Sequence, residues 1–142
     1  MRKSIITALV GLFVIALTSC QDRVQQVSGT YSYKISGQVV ANYITHTLTD
    51  EEGAMEMIRQ DSTTALVTFN ALRGHAYVTT AEIHADSIVL QPYERILTVE
   101  STDYAITAFG KGKIYDNTIL ISLTYKGNRL SGENVTLLCK KN

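Results

Sequence analysis

The clearest structural pattern in the chain is Thr118-Ile119-Leu120-Ile121-Ser122-Leu123-Thr124-Tyr125. Large apolar side chains occupy every second position, and most of the positions between them carry a hydroxyl group. Successive side chains of a β-strand point to opposite faces, so a period of two indicates a strand with one dry face and one wet face. The stretch therefore predicts a half-buried strand whose inner positions are Ile119, Ile121, Leu123 and Tyr125.

The same alternation continues on both sides of this strand. Other inward-facing positions include Tyr31, Tyr33, Ile35, Ala65, Val67 and Phe69. Turn signals such as Asp61-Ser62-Thr63 and Asp116-Asn117 separate the alternating runs, and the chain contains only 1 proline. Eight to ten short strands at this spacing predict an all-β domain, an antiparallel up-and-down barrel. A two-sheet β-sandwich is the alternative.

Several segments are predicted to interrupt the strands. Residues 50–53 indicate a solvated turn before a strand over residues 54–60, and the spacing of Thr49 and Glu52 leaves a short helix as the alternative. Pro92 has no N–H group to donate to a sheet, so it indicates a corner or a sheet edge. Gly110-Lys111-Gly112-Lys113 indicates a flexible break, and residues 131–134 indicate a bulge.

The first twenty residues carry a separate signal. Arg2 and Lys3 precede an apolar run over residues 5–17, which is shorter than the ~20 residues of a membrane-spanning helix. The run ends in Leu17-Thr18-Ser19-Cys20, which resembles the lipobox of bacterial lipoproteins. That resemblance implies cleavage before Cys20 and a lipid anchor on this residue. The predicted organisation is a signal peptide over residues 1–19, a lipidated cysteine with a short tether over 20–27, and one domain over 28–142.

The charge of the chain and its predicted lipid anchor limit where the protein works and what it binds. Several acyl chains hold a protein firmly at a bilayer, so a lipidated Cys20 predicts attachment to a membrane. Asp22 is the one acidic residue in the tether, which favours the periplasmic face of the outer membrane over the cell surface. The chain has 13 basic and 13 acidic residues, a balance that argues against nucleic-acid binding.

Six residues on inward-facing positions are candidates for the wall of a ligand cavity. They are Tyr31, Tyr33, His46, Tyr77, Tyr104 and Tyr125. A tyrosine supplies apolar area and a hydroxyl that needs a hydrogen-bond partner, which suits a packed core and a pocket wall alike. His46 shares its face with Ile44 and Leu48, so it is either a satisfied core histidine or a ligand contact. Both interpretations stay open.

Catalytic and metal-binding motifs are not recognisable in the sequence. His46, His75 and His84 lack the short spacings of zinc ligands, and Gly110-Lys111-Gly112-Lys113 lacks the Ser or Thr and the following helix of a phosphate-binding loop. Cys139 shares its face with Val135 and Leu137 and is predicted to be a buried, unreactive thiol. We therefore expect a protein that is not an enzyme and holds no metal or cofactor.

The domain as a whole resembles the small lipocalin-like or calycin-like lipoproteins of Gram-negative bacteria. The resemblance is carried by the opening Ser28-Gly29-Thr30-Tyr31 strand, the uninterrupted series of short strands and the lysine-rich end. It implies a barrel whose central cavity binds a small hydrophobic molecule. The alternative is a tethered interaction module, an inhibitor or accessory subunit of an envelope complex, with a filled core and no ligand.

Overall fold

A computed structural model describes residues 22–142, except for the side chains at positions 49 and 50. The signal peptide predicted over residues 1–19 and the lipidation predicted at Cys20 lie outside the described residues. The chain order is α1 (Arg23–Val27), β1 (Gly29–Ala41), β2 (Ile44–Arg59), β3 (Thr64–Ala71), β4 (Ala76–His84), β5 (Ser87–Val99), β6 (Thr102–Ile114), β7 (Thr118–Gly127) and β8 (Leu130–Lys141).

The eight strands form a closed antiparallel barrel. Each strand pairs with its neighbours in sequence, and β8 pairs with β1 to complete the wall. The predicted up-and-down barrel is therefore confirmed, and the architecture is consistent with a calycin-like fold. Short turns between consecutive strands favour this topology because they join antiparallel neighbours directly.

Alternating side chains fill much of the barrel interior. In β7, Ile119, Ile121, Leu123 and Tyr125 are at most 1% exposed, which confirms the predicted facing of this strand. Ile121 lies opposite Leu137 of β8, and both pack into a core built from every strand. Cys139 is also fully buried, as predicted.

The turn predicted at residues 50–53 is wrong, because β2 runs through it without a break. A bulge shifts the register of β2 against β1, so that Ile35 pairs with Glu51 while Gly37 pairs with Leu48. Leu48 and Glu51 have opposite parity, yet both lie on the inner side of the wall. Because the bulge adds one residue to β2, the inward-facing positions change from even to odd numbers there. A prediction from a strict period of two assigns the wrong face to the residues after the bulge.

The flexible break predicted at residues 110–113 is wrong as well, since β6 continues through it. A Cβ atom on Gly112 would overlap the backbone of Leu120, so the glycine allows β7 to approach β6 closely. The bulge predicted at residues 131–134 is confirmed, because the register of β8 shifts beside Gly132 and Asn134 has a φ of 57°.

The barrel wall is uneven because the hairpin of β3 and β4 is short. The β2–β3 ladder ends at Gly53 and Ala71, and the β4–β5 ladder covers only Ala81 to His84 against Ser87 to Leu90. Residues 44–52 of β2 and 91–99 of β5 therefore face each other across an opening, which we call the side window. Pro92 lies where β5 separates from β4, which confirms the predicted sheet edge, but β5 runs through Pro92 as one strand and is not divided into two short pieces.

Helix α1 covers the opposite end of the barrel. Asp22 caps it by accepting a hydrogen bond from the Gln25 N–H group at 2.8 Å, and Val24 and Val27 turn their buried side chains toward the core. Ion pairs of Arg23 with Asp86 and of Asp22 with Arg59, at 2.9 and 2.7 Å, hold the helix to the strand ends. Residues 23–27, predicted as tether, thus belong to the folded unit.

No helix found among residues 22–142 has the length and apolar character needed to cross a membrane.

Candidate functional site

The side window opens into a cleft of about 540 Å³. Its walls come from β2, from the turn between β3 and β4, and from β5. Leu48, Leu97 and Val99 supply apolar surface, while the lining also includes several polar and charged side chains. A second cleft of about 490 Å³ shares part of this lining, including Tyr77 and Arg95. Arg95 thus lies at the junction of the two clefts.

Two long hairpins meet above the window. Asn42, at the tip of the β1–β2 hairpin, donates from Nδ2 to the Tyr104 hydroxyl of β6 at 3.0 Å. Nearby, His46 Nδ1 lies 3.4 Å from Glu100 Oε1 at the tip of the β5–β6 hairpin. These contacts join strands from opposite sides of the barrel. They bridge its open end, so the window gives access to the interior from the side.

An ion pair forms the floor of the cleft. Arg95 Nη1 of β5 lies 2.6 Å from Glu51 Oε1 of β2, across the window, and the Arg95 side chain is only 4% exposed. The guanidinium carbon lies 4.5 Å from the centre of the Tyr77 ring and 5.7 Å from that of Tyr125. Burial of a charged pair is tolerated only with close partners, and these rings add cation–π contacts to the guanidinium group.

Several polar atoms around this floor are buried without a hydrogen bond from any described residue. They are Arg95 Nε and the hydroxyl groups of Tyr33 and Tyr125, and Glu51 Oε1 has only its ion-pair contact with Arg95. Burial raises the pKa of both tyrosines, which keeps their hydroxyl groups protonated at neutral pH. Unmet buried polar groups are rare in folded proteins, so their clustering marks this floor as a candidate binding site.

The six predicted cavity residues do not form one group. His46 and Tyr77 line the side window, and the Tyr77 hydroxyl donates to the Ile96 carbonyl at 2.9 Å. Tyr33 and Tyr125 are buried, and the charges of Glu51 and Arg95 act on both hydroxyl groups. Tyr104 lies at the bridged rim. Tyr31 packs at the opposite end, where its hydroxyl donates to the Val27 carbonyl of α1.

The two central residues, Glu51 and Arg95, are absent from that predicted set. The prediction that residues 50–52 are solvated is wrong for Glu51, whose side chain is 17% exposed and paired. Arg95 carried a usable signal, because it shares its parity with Tyr93, Leu97 and Val99. Glu51 had no such signal in the sequence, since the bulge in β2 reverses the face to which its side chain points.

The chemistry of the remaining candidates is limited. No group of three or more His, Cys, Asp or Glu residues that could hold a metal ion occurs within the described part of the chain. Cys139 is free, and its Sγ lies 3.8 Å from Met55 Sδ. Burial raises the pKa of this thiol from 9.0 to about 12, so it is protonated and poorly nucleophilic at neutral pH.

Comparison of the chain with protein-family models, with characterised proteins and with solved structures found no significant match.

Proposed function

We propose that this chain is a membrane-tethered barrel that binds a small, largely hydrophobic molecule through its side window. The observation that carries the proposal is the cleft of about 540 Å³, a size typical of small-molecule sites. Within a largely polar lining, Leu48 and Leu97 offer apolar surface to a hydrophobic body, and the floor suits a polar group on the same molecule. The protein is a binding protein and not an enzyme in this proposal.

The tether in this proposal is a lipid on Cys20, supported by the lipobox-like sequence. Asp22, two residues later, lies at the end of the barrel that α1 covers. A lipid anchor there directs the covered end toward the bilayer and leaves the bridged end and the side window accessible. We favour the periplasmic face of the outer membrane as the location, on the sparse acidic charge after Cys20.

Native mass spectrometry of the mature, lipid-anchored protein, purified in mild detergent from its own host, tests the ligand proposal. We expect an additional bound mass in the range of a small metabolite or lipid. Ala71→Trp, which adds an indole to the window lining, should remove this mass. Asn70→Trp is the matched control, because Asn70 is on the outer face of the same strand. An unloaded wild-type chain, or equal loading of both variants, would contradict the proposal.

The alternative, a tethered interaction module, is supported by exposed apolar residues near the bridged end. Tyr43, Ile44 and Leu72 are 101%, 62% and 74% exposed. Tyr43 also adopts the left-handed conformation with a φ of 68°, which a bulky residue rarely takes without a reason. The same mass measurement separates the two candidates, since a bound protein subunit would favour the alternative.

A further inference from the structure

The floor of the side window has a specific hydrogen-bonding capacity. Within residues 22–142, Arg95 Nε is a donor without a partner, and Glu51 Oε1 has no partner besides Arg95 Nη1 of its ion pair. Leaving such a buried group without a hydrogen-bond partner is unfavourable. A molecule that accepts a hydrogen bond from Arg95 Nε and also donates one to Glu51 Oε1 therefore gains affinity, because both atoms are already held in position.

The position of these atoms is fixed by the surrounding wall. The Arg95 side chain lies against the Tyr77 ring, and Tyr77 is itself held by its hydrogen bond to the Ile96 carbonyl. Glu51 follows the β2 bulge, where β1 supports the strand through the pairing of Ile35 with Glu51. Both residues also line the cleft, so a ligand entering by the window meets them beside these two buried atoms.

The charge of the floor excludes strongly charged head groups. Glu51 and Arg95 already neutralise each other at 2.6 Å. An anionic head that approaches Arg95 meets the Glu51 carboxylate, and a cationic head that approaches Glu51 meets the Arg95 guanidinium. Either ion would lose its hydration without gaining an unpaired counter-charge. An uncharged group avoids this penalty.

We propose that the side window selects an uncharged head group that donates to Glu51 and accepts from Arg95 Nε through neighbouring atoms, as a primary amide does. This inference rests on the proposed ligand-binding function and adds its chemical class. The amide N–H faces the carboxylate, the amide carbonyl faces the guanidinium Nε–H, and the apolar remainder packs against Leu48 and Leu97. Tyr33 and Tyr125 retain their protons beneath this pair and reinforce its polar surroundings.

The test uses three probes with the same straight alkyl chain: octanamide, octanoate and octylammonium. Binding to the full chain is followed by the NMR signal of Arg95 Nε–H, which is assigned through its loss in Arg95→Lys. We expect octanamide to shift this signal and to bind about tenfold more tightly than either ion, since an unmet or opposed buried charge has at least this effect. Equal or tighter binding of octanoate or octylammonium overturns the inference, as does no binding of octanamide.

Glu51→Gln provides a second, independent outcome. The substitution keeps the shape of the side chain and leaves Arg95 with an uncompensated charge, so the preference should invert toward octanoate. An unchanged preference would contradict the role of Glu51, and the wild-type panel decides the question if this variant does not fold. The mass measurement with Ala71→Trp tests ligand binding separately. A native ligand found there, together with a failed octanamide titration, would refute the head-group class alone.

Discussion

At the scale of single residues, alternate positions of one strand have very different tolerance for charge. Ile121 is 1% exposed and Ser122 is on the outer face of β7. Ile121→Asp buries an unpaired carboxylate where an apolar side chain stabilises the fold by about 1.5–3 kcal/mol, so we expect it to prevent folding. Ser122→Asp should leave the far-ultraviolet circular dichroism spectrum and the midpoint of thermal unfolding nearly unchanged. Equal damage from both would show that the assigned facing is wrong.

The ion pair on the window floor predicts strong coupling between its two members. Removal of either partner leaves the other charge buried, so Glu51→Met and Arg95→Met should each lower the free energy of unfolding by about 3–5 kcal/mol. The double substitution should cost less than the sum of the two, with a coupling of about 0.5–3 kcal/mol in urea unfolding. Strictly additive losses would mean that the side chains do not interact.

Cys139 predicts a pH dependence of stability. Its pKa rises from 9.0 to about 12 on burial, so the unfolded chain releases this proton first. The free energy of unfolding is unaffected by this thiol below pH 9 and then falls by up to about 1.4 kcal/mol per pH unit until about pH 12. Buried tyrosines add to the fall above their ordinary pKa. Cys139→Ala should make the decline shallower, and an identical slope in both proteins would refute buried protonation of the thiol.

At the scale of secondary structure, α1 contributes to stability as part of the core. Val24 is fully buried, while Gln25 is exposed and uses only its backbone N–H in the Asp22 cap. Val24→Ala should lower the free energy of unfolding by about 1–2 kcal/mol, because it removes two buried carbon groups. Gln25→Ala is the control and should have little effect in the same denaturation experiment. If Val24→Ala leaves the free energy of unfolding unchanged, the helix does not pack on the barrel.

The strands also show what a sequence can reveal at this scale. Alternation in β7 and in the β3 stretch from Ala65 to Phe69 determined the facing correctly, because regular pleating preserves parity. The β2 bulge between Leu48 and Glu51 was hidden, since an added residue reverses parity without a sequence mark. The short α1 was also hidden, because a single helical turn gives too little periodicity to separate from a polar tether.

At the scale of the whole molecule, the barrel was predictable and its side window was not. The number of strands and their short connections follow from local patterns. The window depends on where ladders end, at Gly53 with Ala71 and at Ala81 with Leu90, which are long-range pairings that no local pattern encodes. Arg95 could have been found as a charge on an apolar face, but its pairing with Glu51 depends on the closed wall.

The central claim is that the floor of a side window in this barrel contacts a small ligand. A high-resolution crystal structure of the mature protein, purified in its native loaded form, tests it most directly. We predict electron density for a small molecule in the window, with an acceptor atom within hydrogen-bond distance of Arg95 Nε. A window filled by the protein's own side chains, or Glu51 directed into solvent away from Arg95, would contradict the account.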